Sequence, residues 1–430
     1  MRKRSLPLIC LAGCLIGGAA AAQPPDIPAR LSLAEALRIA DAGNPAIAAA
    51  RQQAAVSEAD AAAARRWLNP TASLLSEGYH GSAGGSSFFN QQELSVEVSQ
   101  EVELGGKRRL RAQAADASTR RTRATLDDDR RALRLGVERA YLQLALARFE
   151  ANLAAASLAE IDQVIAVNRS RYAQGEVSGA EMRRLEVERL RFSDDALQAE
   201  LAIRNGRAAL LALLGSPRLD LPVEPSDSFD LPAEDAARAA GRPAAAGALA
   251  GEALAARPDL LAVRKDEERA AAEIGYQRAL SAPNLTFTGG FKRDFGTNGA
   301  IAGLALPLPL FDRNAPGISR AEAERRVAAS RLKAVEAAVS LDVQRAVNLV
   351  DISRDRVAAI ERDYLQKARE ARDAVLSAYQ AGETALLDLL DAQRAYRDVQ
   401  RAHGLALYDY RLSVCELDAA LGVRPGGARP

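Results

Sequence analysis

The chain has 430 residues, which is enough for two or three ordinary domains. Its 57 basic and 56 acidic residues leave a formal net charge of +1, so the composition argues against a surface that binds nucleic acid or another polyanion. Aromatic residues make up only 4% and much of the 48% hydrophobic content is alanine, which favours long, closely packed helices over a thick globular core.

The N-terminus has the pattern of an export signal. Basic residues at positions 2–4 precede an apolar run over 6–19, and the alanines that follow suit cleavage after Ala22. The alternative is a lipoprotein signal that leads to lipidation of Cys14. After cleavage at Ala22, Cys415 is the one cysteine left, so no intrachain disulfide can form. No later stretch offers about 18 uncharged apolar residues, so no transmembrane helix is predicted.

The sequence is duplicated. Prolines recur at a spacing of 213 residues and glycines at a spacing of 207, which indicates two similar halves. We assign the six extra residues of the first half to the Gly-rich loop at 80–92. The pairs that set these spacings are Pro45 with Pro258, Pro70 with Pro283, Gly175 with Gly382, and Gly215 with Gly422.

Each half is expected to contain two strands, one long helix and a shorter return helix. The long helices lack internal proline and, at 1.5 Å per residue, each would be roughly 100 Å long. The first repeat is predicted at 23–215, with strands at about 71–79 and 93–104 and helices at about 107–174 and 178–214. The second is predicted at 258–422, with strands at about 284–293 and 300–311 and helices at about 318–381 and 384–422. The remaining segments are the signal peptide at 1–22, a Pro-rich linker at 216–257 with a short helix near 233–240, and a C-terminal tail at 423–430.

The predicted strands alternate between apolar and polar residues. Between 93 and 104, Leu94, Val96 and Val98 lie on one side, and serines and glutamates lie on the other. In an exported chain such strands suit an outer-membrane β-barrel, although a soluble hairpin laid on helices would show the same alternation. About eight strands are needed to close a barrel, so a barrel requires several chains that each donate four strands.

Two segments carry a resemblance to a known family, VSQEVELGGKRRLRAQAADA at 98–117 and LALPLPLFDRNAPGISRAEAE at 304–324. Together with the duplication and the glycine turns, they resemble the TolC-type outer-membrane efflux proteins, in particular the CzcC-like, heavy-metal branch. The resemblance implies a mainly α fold with a β-barrel part. In a homotrimer, four strands per chain would form a 12-stranded barrel in the outer membrane, and long α-helical hairpins would form a tunnel extending into the periplasm.

The resemblance also implies partners and cargo. The tunnel of the family meets a periplasmic adaptor, or membrane fusion protein, and an inner-membrane pump, typically of the resistance-nodulation-division type. The barrel contacts outer-membrane lipid. The implied cargo is heavy-metal cations, while drug efflux and type I protein secretion are alternatives that keep the channel. A periplasmic coiled-coil adaptor is a further alternative, but it needs no strands in each half.

The turns between long and return helices hold the candidate contacts with the adaptor. Gly175 and Gly382 can adopt a positive φ and end the long helices. Tyr172 and Tyr379 precede these glycines by three residues in both copies. The resemblance implies that Tyr172, Gly175, Gly382 and Thr384 lie at the periplasmic hairpin tips, where the adaptor is contacted.

The periplasmic entrance is assigned to the second tip. Asp388 and Asp391 are three residues apart and therefore share one helical face. The resemblance implies that they line the tunnel entrance. Glu181 matches an acid that, in TolC, ties to a tyrosine on the neighbouring hairpin, and Tyr379 matches that tyrosine. Thr384 stands where TolC carries a latch arginine, so the bonding of the closed state is expected to differ.

The sequence contains no catalytic or cofactor-binding pattern. His80 and His403 lack companions at metal-ligand spacing, and there is no phosphate-binding loop or dinucleotide fingerprint. We therefore expect no enzyme activity, no cofactor and no metal site.

Overall fold

The computed structural model of the chain describes residues 27–77, 93–227, 229, 246–294 and 297–422. The predicted signal peptide, the Gly-rich loop at 80–92, the short helix near 233–240 and the C-terminal tail lie outside the described residues, as does His80. Within the described ranges, no helix combines the length and the apolar character needed to cross a membrane.

The first half is built around one uninterrupted helix of 67 residues, α3. Its N-terminus follows Gly106, whose φ of +71° would strain any residue with a side chain. Two shorter helices, α1 and α2, and the return helix α4 pack along α3. The elements are β1 Arg30–Leu31, α1 Leu33–Gly43, α2 Pro45–Ala64, β2 Thr71–Glu77, β3 Glu93–Val102, α3 Lys107–Ala173, α4 Gly179–Leu213 and β4 Glu224–Pro225.

The second half repeats this plan with one difference in its long helix. A continuous helix was expected over 318–381, but a π-helical turn at Ile360–Tyr364 interrupts it, and Leu365 donates its N–H to the carbonyl of Ile360. No proline or glycine marks this turn, so residue type gave no warning of it. The elements are α5 Ala246–Ala256, α6 Pro258–Leu280, β5 Leu285–Asp294, β6 Thr297–Ala305, α7 Ala315–Ala359, α8 Leu365–Ala381 and α9 Leu386–Leu421.

The two halves share one antiparallel sheet in the order β2-β3-β5-β6. Its central pair joins the halves, in a register that runs from Glu93 opposite Asp294 to Val102 opposite Leu285. The predicted range of 300–311 for the fourth strand was wrong, because β6 begins at Thr297 and ends at Ala305. The prolines at 307 and 309 lack the N–H that a ladder requires, which explains the early end. Among the described residues, β2 and β6 each have one strand neighbour, so both edges of the sheet are open.

The sheet has one apolar and one polar face. Side chains that are paired across the strands on the apolar face are 46–72% exposed to solvent in the single chain: Leu74, Val96, Val98, Phe287, Phe291 and Leu304. The opposite face carries serine, threonine and glutamate, and the hydroxyl groups of Ser99 and Thr288 lie 3.0 Å apart. Exposed apolar side chains on one face and polar ones on the other are the pattern of a sheet with lipid outside and water inside.

The buried apolar residues form three clusters along the helices. One cluster draws its residues from the first half, between Leu31 and Val223, and a second from the later part of the chain, between Leu249 and Leu421. The third lies near the hairpin turns and contains residues of both halves: Ile161, Ile165, Met182, Leu185, Phe192, Leu386, Leu389 and Leu390. We call this third set the tip cluster. It packs the two hairpins of one chain against each other.

Candidate functional site

The first hairpin tip is closed by backbone geometry and a capping box. Gly175 has a φ of +80° and donates its N–H to the carbonyl of Tyr172 at 3.0 Å. The hydroxyl of Ser178 accepts from the N–H of Glu181 at 3.2 Å, and the Glu181 carboxylate accepts from the N–H of Ser178 at 2.9 Å. These reciprocal bonds satisfy donors at the start of α4, so Glu181 is engaged within its own tip.

The second tip repeats the turn but not the cap. Gly382 has a φ of +78° and donates to the carbonyl of Tyr379 at 3.1 Å. Ala385 takes the position of Ser178 and has no side-chain acceptor, so only half of the capping box remains. The Asp388 carboxylate accepts from the N–H of Ala385 at 3.3 Å and from the Thr384 hydroxyl at 2.7 Å. Thr384 and Asp388 together therefore fix the start of α9.

Tyr379 joins the two hairpins, although not through the expected acid. Its hydroxyl donates to Oδ1 of Asn168 at 2.6 Å, and Asn168 is fully buried on α3. The expected tie between Glu181 and Tyr379 is not formed within the chain, because the Glu181 carboxylate caps α4. Arg171 adds a contact between the hairpins by donating to the carbonyl of Gln380 at 3.2 Å. Tyr172, by contrast, is 51% exposed.

The two aspartates of the predicted entrance share a helical face but have different partners. Asp388 is held by Thr384, as described above. The Asp391 side chain is 61% exposed and pairs with Nη1 of Arg394 at 3.1 Å. Unlike Asp388, Asp391 therefore has no role at the start of α9, and its carboxylate is largely exposed to solvent.

Arg394 also makes a charged contact between the hairpins that the sequence did not predict. Its Nε donates to Oε1 of Glu188 at 2.9 Å, and its Nη2 bonds to the other carboxylate oxygen. Glu188 lies on α4 and is only 4% exposed. The hydrogen bonds from Arg394 hold the pKa of Glu188 below its usual value, against the opposing effect of burial.

Two further arginines continue this contact along α9. Arg397 donates to Asp195 at 2.8 Å, and Arg401 donates to Glu150 at 3.2 Å. With Arg394 they are spaced at three and four residues, so they form one stripe on the helix. We call Arg394, Arg397 and Arg401 the arginine ladder. Their spacing in the sequence was the available signal, but in a chain with 26% charged residues many helices carry such stripes.

His403 faces the π-helical turn of the second long helix. Its Nε2 lies 3.0 Å from the Glu361 carboxylate. Among the described residues, no group of three or more His, Cys, Asp or Glu side chains is arranged to hold a metal ion. The chemistry of the tips is therefore that of hydrogen bonds, ion pairs and exposed carboxylates.

Comparison with known proteins identifies the architecture. The chain matches crystal structures of CusC, a transmembrane channel, with a TM-score of 0.74 and 19% identity over 91% of this chain and 92% of the other. This likeness confirms the predicted fold class. The cobalt-zinc-cadmium resistance protein CzcC of Cupriavidus metallidurans is 27% identical over 86% of this chain and 85% of its own length. The nickel-cobalt-cadmium resistance protein NccC of Alcaligenes xylosoxydans is 29% identical over 81% of this chain and 76% of its own.

The family is shown by a sequence model that covers most of the chain. The model described as outer membrane efflux protein matches twice, at residues 36–216 and 249–423, once in each half of the duplication. Each match spans the helices and the two sheet strands of one half. The chain therefore belongs to the outer membrane efflux protein family.

Proposed function

We propose that the chain is the outer-membrane channel of a tripartite efflux system that exports heavy-metal cations, and that it acts as a homotrimer. The observation that carries the proposal is the four-stranded sheet, which has an apolar face, a polar face and two open edges. Pairing β6 of one chain with β2 of the next would satisfy both edges. Three chains would supply twelve strands, more than the roughly eight that closure needs.

Exposed apolar side chains on the helices support the same assembly. Val187, Leu190, Leu197 and Leu201 follow one stripe of α4 and are 51–67% exposed. Leu341, Leu349 and Ile352 do the same on α7, with exposures of 44–68%. Spacings of three, four, seven and eight residues place side chains on one face of a helix, as in helices that pack side by side. We assign these two stripes to contacts between neighbouring chains of the trimer, so that the hairpins enclose a tunnel.

The partners follow from the two ends of this tunnel. At the hairpin tips, Tyr172, Gly175 and Gly382 are exposed and Thr384 is partly exposed. We assign these residues to contacts with a periplasmic adaptor, which would link the channel to an inner-membrane pump of the resistance-nodulation-division type. Asp388 and Asp391 of three chains would place six carboxylates at the entrance, and such rings favour cations. Tyr379, which bonds to Asn168, and Glu181, which caps α4, would contribute to the entrance by fixing the conformation of the hairpin tips.

The assignment of cargo rests on the relatives, since both CzcC and NccC are named for resistance to divalent metal ions. Deletion of the gene should lower the tolerance of the cells to zinc, cobalt, cadmium, copper or silver, and the wild-type gene should restore it. Minimum inhibitory concentrations for these metals, measured beside those for drugs and dyes, test the proposal. Unchanged metal tolerance with lower drug or dye tolerance would reject the metal cargo and keep the channel.

A further inference from the structure

The end of the sheet that meets the long helices carries an exposed patch of mixed basic and apolar side chains. We call it the basal rim, and define it by Arg66, Trp67, Arg108, Arg109, Leu308 and Phe311. Trp67 precedes β2, the two arginines at 108 and 109 follow β3, and the apolar pair follows β6. These segments lie at the same end of the sheet, where the strand order places Trp67 and the two arginines beside neighbouring strands and the apolar pair at the opposite edge.

Two residues of the basal rim, Trp67 and Arg108, form a stacked pair. The guanidinium carbon of Arg108 lies 4.0 Å from the centre of the Trp67 ring, and Trp67 is 59% exposed. Tryptophan and arginine are both favoured where hydrocarbon gives way to water, since each has an apolar body and a polar end. Stacking on the ring also leaves guanidinium N–H groups at its edge available to an acceptor.

The arginines of the rim differ from their neighbours in their partners. Among the described residues, no carboxylate lies within ion-pair distance of Arg66, Arg108 or Arg109. By contrast, Arg65 pairs with Asp116 at 2.7 Å, and Arg111 pairs with Glu103. Three neighbouring cations without an acidic partner favour an anionic ligand, and guanidinium groups suit the oxygens of a phosphate.

The apolar part of the rim continues the apolar face of the sheet. Leu304, at the end of β6, is 66% exposed, and Leu308 is 69% exposed further along the same extended segment. Phe311 is fully exposed. A free phosphate ion would gain nothing from contact with these apolar side chains, whereas a phospholipid has acyl chains close to its phosphate. The combination favours a lipid over a free anion.

We propose that the basal rim binds anionic phospholipid headgroups of the periplasmic leaflet. The inference rests on the proposed function, because it requires the sheet to lie in the outer membrane. The arginines donate to the phosphate, Trp67 lies at the boundary of the hydrocarbon, and Leu308 and Phe311 contact acyl chains. Binding at this level fixes the height of the channel in the bilayer and favours lipids with a net negative charge.

Trp67 is the one tryptophan of the chain, so its fluorescence reports on the rim directly. The full-length protein is reconstituted into phosphatidylcholine vesicles that contain phosphatidylglycerol brominated near the headgroup, or phosphatidylcholine brominated at the same carbons. We expect the brominated phosphatidylglycerol to quench Trp67 more strongly at equal mole fraction. Lipids brominated near the headgroup should also quench more than lipids brominated near the end of the acyl chain.

Substitution identifies the groups responsible. Arg66→Gln, Arg108→Gln and Arg109→Gln should each lower the preference for phosphatidylglycerol by up to about fivefold at low ionic strength. Arg204→Gln is the control. It removes an exposed arginine of α4, which belongs to a helical hairpin and not to the sheet, and it should leave the preference for phosphatidylglycerol unchanged. Equal quenching by the two headgroups in the wild-type protein would overturn the proposal. So would loss of the preference on adding inorganic phosphate at matched ionic strength, since the site would then belong to the free anion.

The same vesicles separate this proposal from the proposed function. Protein that floats with the vesicles and conducts ions, but shows no headgroup preference, would reject the lipid site alone. Protein that neither floats nor conducts would reject the membrane channel, and the lipid site with it. Trp67→Phe abolishes the signal and so verifies its origin.

Discussion

The contact between Arg394 and Glu188 should control how firmly the two hairpins of a chain are held together. Arg394→Leu removes the guanidinium that bonds to both oxygens of a carboxylate that is only 4% exposed. Removing one partner of a buried ion pair costs about 3–5 kcal/mol. The Arg394 side chain is 33% exposed, and Nη1 of Arg191 remains 3.4 Å from the same carboxylate, so we reduce the cost to about 2 kcal/mol.

A change of that size is measurable in single channels. We take separation of the two hairpins as the opening step of the proposed entrance. About 2 kcal/mol alters that equilibrium by about 30-fold, so the ratio of high- to low-conductance states should rise by up to that factor in planar bilayers. Arg191→Leu is the matched control, because its side chain is 65% exposed and its effect should stay below about twofold. The charge swap Glu188→Arg with Arg394→Glu should recover much of the wild-type behaviour. Equal ratios for Arg394→Leu and Arg191→Leu, in protein with an unchanged helical circular-dichroism signal, would refute the reasoning.

Three further predictions concern the carboxylate of Glu188, the two aspartates of the proposed entrance and the buried hydroxyl of Tyr141. The pKa of Glu188 is lowered in the folded protein, so its contribution to stability is present above the ordinary value near 4.5 and is lost as the pH falls through the lowered one. The conductance ratio should therefore be constant from pH 8 to about 5 and rise only below about 4.5; a rise near pH 6 would assign the effect to another group. Asp391→Asn should weaken both the cation selectivity of the channel and its blockage by multivalent cations, without changing the melting temperature. Asp388→Asn should have the same effects on conduction and should also destabilise the start of α9 by about 1 kcal/mol. Unchanged selectivity in both variants would show that these residues do not line the entrance. Tyr141→Phe should lower the free energy of unfolding by about 1–3 kcal/mol, because the buried hydroxyl bonds to the carbonyl of Leu31 at 3.0 Å and to Asp227 at 2.9 Å. The control is Tyr364→Phe, since Tyr364 is exposed. A thermal midpoint for Tyr141→Phe that is unaltered and equal to that of the control would contradict the prediction.

The helices could be predicted closely because their limits depend on residue type. The first long helix was expected at 107–174 and is found at Lys107–Ala173, between glycines at 106 and 175 that adopt positive φ. The limits of β6 could not be read in the same way. Asn298 and Gly299 suggested a turn, but they pair with Arg293 and Lys292 of β5, since strand pairing overrides the local preference of these residues.

The contacts at the tips were beyond sequence reasoning for a different reason. Glu188 and Arg394 are 206 positions apart, and their meeting depends on how α4 and α9 are rotated relative to each other. Asn168 is similar, because a polar residue on a long helix is normally exposed, yet it is buried beneath Tyr379. The expected bond between Glu181 and Tyr379 is absent within the chain because of a local competitor, since Ser178 lies three residues from Glu181 and forms the capping box with it.

The tip cluster implies a thermodynamic coupling between opening and binding. Leu386, Leu389 and Leu390 of the second hairpin are at most 4% exposed. Separating that hairpin from the first would return them to water at a cost of up to about 5–9 kcal/mol, which exceeds the contribution of the Arg394 contact. A protein that bound only the outer surface of one hairpin would have equal affinity for the joined and separated arrangements and could not shift the balance. A partner that covers these leucines would stabilise the separated arrangement, and by reciprocity would itself bind more tightly once the hairpins were apart.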